Sequence, residues 1–229
     1  EKKHAQELIA SGVAQIIVGT HALIPDAVQF AALGLAVIDE QHRFGVRQRM
    51  EITQRIGSET YYSHQLMMSA TPIPRTLAMT YYADLDVSVI DELPPGRQAI
   101  TTKLVKDARR QEVMEGLKQW LQKGLQAYWV CPLIEESEAL QLQTAVASHA
   151  ELSEYLSEYT LALIHGRLKA DEKATIMAAF KAGKIDVLVA TTVIEVGVDV
   201  PNAALMVIEH AERFGYAQIH QLRGRVGRG

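Results

Sequence analysis

Two adjacent carboxylates follow a short apolar run, because Leu35–Ile38 leads directly into Asp39 and Glu40. In an open parallel sheet, ligands bind at the carboxyl ends of the strands. Hard oxygen ligands suit Mg²⁺, and a carboxylate can orient water for attack on a phosphate. We therefore predict that Asp39 holds the water shell of Mg²⁺ and that Glu40, beside the same metal, polarises the attacking water. The alternative is an ordinary acidic loop after a strand. An Asp-Glu pair considered on its own favours this simpler explanation.

Hydroxyl side chains end a second apolar run, where Ser69 and Thr71 follow Met67 and Met68. If the two runs form neighbouring strands, these hydroxyls lie beside the loop that begins at Asp39. They would then transmit the state of a bound nucleotide. An ordinary helix cap is the alternative, since Ser and Thr favour caps.

A basic, glycine-rich segment occupies residues 221–228, with the sequence QLRGRVGR. Arg225 and Arg228 are three residues apart, so on a helical turn they would share one face. A guanidinium offers phosphate oxygens a planar, permanently charged fork, which is what an arginine finger requires. The alternative is a basic surface patch that contacts nucleic-acid phosphates.

A third apolar run ends in Thr191 and Thr192, and Gly197 and Asp199 follow in a loop closed by Pro201. The hydroxyls would hold a DNA phosphate, and Gly197 and Asp199 would face the sugar of a nucleotide. A strand-to-helix loop with capping threonines explains the same residues.

Two shorter candidates also follow apolar runs. Thr20 and His21 come after a glycine, and His165 and Arg167 flank another. Each pair would touch a nucleic-acid backbone, although plain turns are the simpler explanation of both.

These groups need a scaffold of strands to position them. Apolar runs without clean alternation are typical of strands that are buried on both faces. They predict strands at Gln15–Val18, Gly34–Ile38, Gln65–Ser69, Val87–Ile90, Ile100–Val105, Ala127–Cys131, Thr160–Ile164, Asp186–Ala190 and Ala204–Ile208. Helices are predicted at His4–Ala10, Pro74–Tyr81, Ala108–Gln122, Glu138–Leu156 and Ala170–Ala182, with stops at Gly12, Gly124 and Gly183. The alternation predicts an α/β fold with parallel sheets.

The Asp91–Arg97 segment is the best domain boundary, because its two prolines and its glycine exclude a helix or a central strand. It predicts a first domain over residues 1–92, a linker over 93–97 and a second domain over 98–229.

Composition excludes several classes of protein. The chain has 229 residues, a net charge of −4 and 48% hydrophobic residues, which suits a globular protein and excludes a disordered one. No apolar run approaches the roughly 20 residues of a membrane-spanning helix. The single Cys131 excludes a disulfide framework and a multi-cysteine zinc site. The mild acidity excludes a generally basic nucleic-acid coat, so that any DNA contact must be local.

A phosphate-cradling loop of the form G-x-x-x-x-G-K-[ST] is missing from the sequence. The one Gly-Lys pair, Gly183-Lys184, is followed by Ile185. Since the chain also starts at Glu1 without Met, we expect it to be an excerpt of a longer protein whose upstream part holds that loop.

In their order along the chain, these motifs resemble those of superfamily 2 helicases. The D-E-x-H box corresponds to Asp39–His42, the S-A-T motif to Ser69–Thr71, the fifth motif to Ala190–Pro201 and Q-x-x-G-R-x-G-R to Gln221–Arg228. Within that superfamily the chain resembles the RecG family over essentially its whole length, most tellingly at residues 39–46, 69–76, 84–97 and 127–138. The family of transcription-repair coupling translocases shares the PIPRT and QLRGRVGR stretches, but Gln41 and Leu93–Arg97 favour RecG.

The resemblance implies two RecA-like α/β domains in tandem, the first lacking its N-terminal part. It implies a DNA helicase and translocase that uses ATP and Mg²⁺ to remodel stalled forks and Holliday junctions in repair and recombination. The expected partners are branched double-stranded DNA and ATP. A monomer in the bacterial cytoplasm, with no membrane partner, is also implied.

The resemblance further assigns roles to individual residues. Gln221, Arg225 and Arg228 would act on ATP from the second domain when a cleft between the domains closes. Coupling of ATP to motion would involve Gln41, His42, Ser69, Thr71 and Arg75. DNA contacts would come from Thr20, His21, His165, Arg167, Thr191 and Thr192. Without the phosphate loop we expect the isolated chain to be inactive, and a non-catalytic fragment that binds DNA or nucleotide is the alternative from another class.

Overall fold

The computed structural model describes residues 2–20, 23, 28–40, 57–58, 61–70, 86–92, 97, 99–132, 138–191 and 200–227. The chain divides into two compact units, residues 1–83 and 84–229. The segment predicted as a linker, 93–97, falls inside the second of these ranges.

In the first unit a short parallel pair of strands carries the acidic motif. Strand β1 (Leu35–Ile38) pairs in parallel with β4 (His64–Met67), and their residues align one for one from Leu35 opposite His64. The other elements of this unit are helix α1 (Lys2–Ala10) and the antiparallel pair β2 (Gly57–Ser58) and β3 (Tyr61–Tyr62). The strand end at Ile38 therefore positions Asp39 and Glu40.

The second unit is built on a four-stranded, all-parallel sheet in the order β6-β7-β5-β8. Its strands are β5 (Gln126–Val130), β6 (Leu161–Ile164), β7 (Val187–Ala190) and β8 (Ala203–Ile208). Its helices are α2 (Arg110–Leu121), α3 (Glu138–Tyr155), α4 (Ala170–Lys181) and α5 (Tyr216–Arg223). Short 3₁₀ turns precede α2 at Asp107–Arg109 and α5 at Ala211–Arg213.

The core of the second unit lies on both faces of this sheet. Along β5, Tyr128 and Val130 join one apolar cluster, whereas Ala127 and Trp129 join another. Phe180 of α4 packs edge-on against Tyr128 with ring centroids 5.0 Å apart. Burial on both faces is the reason why these strands appear in the sequence as continuous apolar runs.

Most of the predicted strands and helices are present in the structure. The strands at Gly34–Ile38, Gln65–Ser69 and the last four predicted positions are present. So are four of the five predicted helices, each within two residues of its predicted ends, while Pro74–Tyr81 lies outside the described residues. The predicted helix stops at Gly124 and Gly183 are confirmed by φ angles of +75° and +72°, which glycine adopts without steric cost.

Three strand predictions are wrong, because residues 15–18, 87–90 and 100–105 are irregular. Each segment leaves an apolar side chain open to solvent, with Val18 92%, Ile90 93% and Leu104 94% exposed. An apolar run becomes a strand only where a second backbone completes its ladder of hydrogen bonds, and none in the described residues does so here. Helix α5 was not predicted from its sequence. Among the described helices, none combines the length and the apolar character needed to cross a bilayer.

Candidate functional site

Asp39 and Glu40 lie directly beyond the carboxyl end of β1, and they form a strained turn. The Oδ1 atom of Asp39 accepts a hydrogen bond from the backbone N–H of Glu40 at 2.8 Å. Glu40 has a φ of +52°, a left-handed conformation that costs an L-residue about 1–2 kcal/mol. Asp39 is exposed and Glu40 is half-buried. Such strained non-glycine residues cluster at functional sites.

Ser69 is the second residue after β4, just as Glu40 is the second residue after β1. Ile38 is opposite Met67, and the N–H of Met68 donates to the carbonyl oxygen of Ile38 at 2.8 Å. Because the two strands are parallel, the hydroxyl and the acids follow the same edge of the β1–β4 pair. The remaining coupling candidates, Gln41, His42, Thr71 and Arg75, lie outside the described residues.

The donor atoms of Asp39 and Glu40 fit a hard divalent cation. Both side chains present carboxylate oxygens, the ligand type that Mg²⁺ prefers. The described residues contain no group of three or more His, Cys, Asp or Glu side chains that could enclose a metal. Two carboxylates at a strand end therefore suit an ion that keeps waters and shares phosphate oxygens, as Mg²⁺ does.

Thr20 belongs to a tight turn in the first unit. Its carbonyl oxygen accepts the N–H of Leu23 at 3.0 Å. A Cβ atom on Gly19 would lie 2.9 Å from the end of the Leu23 side chain, so a larger residue there would require Leu23 to change its rotamer. Thr20 is exposed, and His21 lies outside the described residues.

A basic turn follows β6 in the second unit. The Lys173 ammonium donates to the carbonyl oxygen of Gly166 at 2.8 Å, which holds α4 against the turn. Burial lowers the pKa of His165, and the positive charges of Lys173 and Arg167 lower it further. The charges of Arg167 and Lys173 are the kind that a phosphate backbone attracts.

Thr191 directly follows the last residue of β7, next to this basic turn. Its N–H donates to the carbonyl oxygen of Ile164, the last residue of β6, at 3.2 Å. The residue is only 4% exposed, so its side chain is buried at the strand end. The structure thus brings Thr191 and His165 to the same edge of the sheet. The other candidates of this loop, Thr192, Gly197 and Asp199, lie outside the described residues.

Gln221 and Arg225 occupy the end of α5 and the turn that follows it. The N–H of Arg225 donates to the carbonyl oxygen of Leu222 at 2.9 Å. Leu222 and Val226 are each 4% exposed and pack into the core of the second unit. Both Gln221 and Arg225 are half-buried. The core therefore holds this segment from inside while Gln221 and Arg225 remain accessible at its surface.

The described residues after α5 do not continue its helix. Helix α5 ends at Arg223, and Gly227, between Arg225 and Arg228, has a φ of +73°, which interrupts a right-handed helix. Arg228 itself lies outside the described residues.

Sequence reasoning missed a buried charge at the end of β8. The Glu209 carboxylate accepts hydrogen bonds from Nη2 of Arg110 at 2.8 Å and from Oγ of Ser148 at 2.9 Å. The Arg110 guanidinium also lies 5.3 Å from the centre of the Trp129 ring. The signal was in the sequence, because Glu209 follows an apolar strand directly, just as Asp39 does.

Cys131 lies next to this charged cluster and follows β5. Its thiol is 3.4 Å from Oε2 of Glu209. Burial, reinforced by the negative charge of Glu209, raises the pKa of Cys131 to about 12. The thiol is therefore protonated at neutral pH and is a poor nucleophile.

Two family models match this chain. The DEAD/DEAH box helicase family matches residues 1–80, and the helicase conserved C-terminal domain matches residues 109–229. The second match alone covers more than half of the chain. The two matches together give the chain two RecA-like α/β domains in tandem.

Curated relatives match almost the whole chain. The ATP-dependent DNA helicase RecG of Escherichia coli K12 is 59% identical over 225 residues, which cover 98% of this chain and 32% of that protein. RecG of Thermotoga maritima is 51% identical over 100% of this chain and 29% of its own length. The chain therefore spans about a third of the length of these relatives.

Solved structures of helicases also match this chain. A structure of RecG bound to a three-way DNA junction matches with a TM-score of 0.67 and 47% identity, over 100% of this chain and 29% of that one. Saccharomyces cerevisiae Dbp5 bound to RNA and ADP BeF3 has a TM-score of 0.58 over 94% of this chain and 56% of its own, but at 16% identity it shares the fold only. Since the second family match covers more than half of its length, the chain belongs to the family of the helicase conserved C-terminal domain, and over its whole length it is similar to RecG helicases.

Proposed function

We propose that the whole protein is an ATP-dependent translocase of double-stranded DNA that remodels stalled forks and Holliday junctions in DNA repair and recombination. The observation that carries this proposal is the turn after β1, where Asp39 accepts the N–H of Glu40 and Glu40 keeps a φ of +52°. Ligands of parallel sheets bind beyond the carboxyl ends of the strands, and strained residues cluster at functional sites, so both features support a catalytic role for this acid. The identity of 59% to RecG of E. coli supports the choice of DNA as the substrate.

Asp39 and Glu40 divide the work at this turn. Asp39, with help from Glu40, would hold Mg²⁺ through its water shell, and the metal would neutralise charge on the phosphates of ATP. Glu40 accepts a proton from the attacking water and orients that water toward the γ-phosphate. Ser69, which follows β4 at the same edge of the β1–β4 pair, senses the turn and passes its state on, together with Gln41, His42, Thr71 and Arg75.

The second domain supplies the positive charge for hydrolysis. Arg225 and Arg228 stabilise the charge that develops on the γ-phosphate, and Gln221 orients the phosphate group from the last turn of α5. Gly197 and Asp199 hold the sugar of the nucleotide. A half-buried position such as that of Arg225 supports this role, because partial removal from water strengthens its attraction to phosphate.

DNA contacts are proposed at turns that follow strands or apolar runs. In the first domain they involve Thr20 and His21. In the second they involve His165 and Arg167 after β6, and Thr191 and Thr192 after β7. The charges of Arg167 and Lys173 support the second set, because a DNA backbone is held mainly by positive charge.

We propose domains at residues 1–92 and 98–229 with a linker at 93–97. We also propose that the protein is a monomer in the bacterial cytoplasm. The bacterial source of the relatives supports the bacterial location.

The proposal is tested with Glu40→Gln in the full-length protein. Loss of the general base should lower DNA-stimulated ATP turnover by roughly 10²–10⁴-fold, while the Kd for ATP stays within twofold. Glu154→Gln, an exposed position on α3, is the matched control and should leave turnover unchanged. Near-normal turnover in Glu40→Gln would remove Glu40 from its role.

The substrate is tested with synthetic three-way and four-way junctions. ATP-dependent remodelling of junctions, absent in Glu40→Gln, is the expected result. Displacement of a stalled RNA polymerase without junction remodelling would instead indicate a coupling translocase. The 229-residue chain alone should hydrolyse no ATP, because its sequence lacks the G-x-x-x-x-G-K-[ST] loop.

A further inference from the structure

The guanidinium of Arg97 caps the C-terminal end of α5. Its Nη2 donates a hydrogen bond of 2.9 Å to the carbonyl oxygen of Gly224, although the two residues are 127 positions apart in the sequence. Both residues belong to the second unit and both are partly buried. The contact therefore joins the N-terminal part of the second unit to the turn that carries Arg225.

The position of this contact has a clear electrostatic reason. The last carbonyl groups of a helix lack partners within the helix and carry the negative end of its dipole. Helix α5 ends at Arg223, and the N–H of Gly224 still donates to His220 at 3.1 Å. A cation that donates to the Gly224 carbonyl thus satisfies an acceptor and matches the dipole at once.

Gly224 matters for the helix end more than for the approach of Arg97. A Cβ atom at this position would make ordinary van der Waals contact with Nη2 of Arg97 at 3.5 Å, but it would lie 3.3 Å from the carbonyl oxygen of Gln221, which is tighter than most real contacts. The φ of Gly224 is −68°, which any residue can adopt, so its backbone angles do not require glycine. An added methyl group would therefore press on the Gln221 carbonyl and shift the end of α5 by a few tenths of an ångström, while it leaves space for Arg97.

The turn is held from two sides. From inside, Leu222 and Val226 pack into the core, and Ile100 packs against the same cluster three residues after Arg97. From outside, Arg97 fixes the carbonyl of Gly224, which is bonded directly to the nitrogen of Arg225. The direction in which Arg225 leaves the backbone therefore depends on Arg97.

We propose that Arg97 is a positioning residue for ATP hydrolysis, which acts by fixing the backbone at Gly224 and so aiming Arg225. This inference rests on the proposed function, in which Arg225 stabilises charge on the γ-phosphate. Removing Arg97 leaves Arg225 in place but lets its backbone shift, and a displacement near 1 Å can cost about 10²-fold in rate. Since Arg225 acts on the reacting phosphate, the loss should appear in kcat and not in KM.

The test uses the full-length protein and measures kcat and KM for ATP with a saturating DNA junction, and the Kd for that junction. Arg97→Ala should lower kcat about tenfold or more and leave KM and Kd within twofold. Arg97→Lys, which keeps a charged donor, should recover most of the loss. Arg109→Ala is the matched control, because Arg109 makes an exposed ion pair with Glu112 at 2.8 Å and should leave kcat unchanged.

Two further variants distinguish positioning from general loss of structure. Gly224→Ala should lower kcat without removing any charge. Arg97→Ala combined with Arg225→Ala should be no slower than Arg225→Ala alone, because Arg97 acts through Arg225.

An unchanged kcat in Arg97→Ala overturns the inference, and so does a loss confined to KM or to the Kd for DNA. Additive losses in the double variant also overturn it. If Arg225→Ala itself keeps full turnover, the proposed role of Arg225 has failed, and this result is separate from a failure of Arg97 alone.

Discussion

Arg110 and Glu209 form a largely buried ion pair in which Nη2 and Nε of the arginine lie 2.8 Å and 3.0 Å from the same carboxylate oxygen. The Glu209 side chain is only 12% exposed, and Arg110 also pairs with Glu151. The pair joins the first turn of α2 to the end of β8, from which the chain continues into α5. It therefore anchors the part of the second unit that leads to Gln221 and Arg225.

Arg110→Ala should destabilise the chain strongly, because it leaves the Glu209 carboxylate buried without its cation. We expect a loss of about 2–4 kcal/mol in the free energy of unfolding, measured in urea. Arg109→Ala, which removes the neighbouring exposed pair with Glu112, should cost much less, because solvent screens that pair. Equal losses in the two variants would show that the pair contributes no more than a surface contact.

Arg228→Ala in the full-length protein separates the two explanations of the basic segment. An arginine that stabilises the γ-phosphate contributes roughly 10³-fold or more to hydrolysis. We therefore expect turnover to fall by that factor while the affinity for a DNA junction is kept. Loss of DNA affinity with normal turnover at saturating DNA would instead identify a patch that contacts DNA phosphates.

Cys131 should resist alkylation in the folded chain. Its pKa is raised to about 12 by burial and by the charge of Glu209, so very little thiolate is present at pH 8. Reaction with iodoacetamide should be at least about 10²-fold slower than in urea, as followed by mass spectrometry. Comparable rates in the two conditions would contradict the burial of this thiol.

The same shift affects stability at high pH. The folded state holds the thiol proton above pH 9, the ordinary pKa, where the unfolded chain releases it. Stability should therefore fall as the pH rises from 9 toward 12. Cys131→Ser should remove that contribution.

His165 should titrate below its ordinary pKa of 6.5, because burial and then Lys173 and Arg167 disfavour its charged form. Since the folded state binds fewer protons than the unfolded state, this residue lowers stability as the pH falls below 6.5. Lys173→Gln should raise the pKa of His165 without restoring 6.5, because burial remains. Ring-proton NMR titration measures the shift, with Lys181→Gln as the control. An unchanged pKa in Lys173→Gln would rule out the electrostatic effect of Lys173.

The strands of the second unit could be predicted because local pattern and tertiary environment agree. Val187–Ala190 is apolar at every position and is covered on both faces, so burial leaves an unmistakable pattern. Residues 100–105 are rich in β-branched residues, which also favours a strand, yet Leu104 is 94% exposed and the segment has no strand partner among the described residues. Strand pairing depends on a second backbone segment that is far away in the sequence, so the pattern of one segment does not predict it.

In the candidate site, as in the fold, the features set by local sequence could be predicted and the long-range contacts could not. The placement of Asp39 and Glu40 at a strand end follows from local sequence, and so does that of Thr191. The contacts of Arg97 with Gly224 and of Arg110 with Glu209 join residues far apart in the sequence. Such pairs depend on the packing of complete elements, so neither could be inferred from the spacing of motifs.

At position 40 the left-handed backbone favours glycine, whereas the proposed reaction requires a carboxylate. Glycine would relax the φ of +52° and relieve roughly 1 kcal/mol of strain, but it would bring no carboxylate. Selection for thermal robustness alone would thus favour the residue that abolishes the proposed reaction. The glutamate marks a point where the molecule accepts lower stability to keep an acid at the strand end.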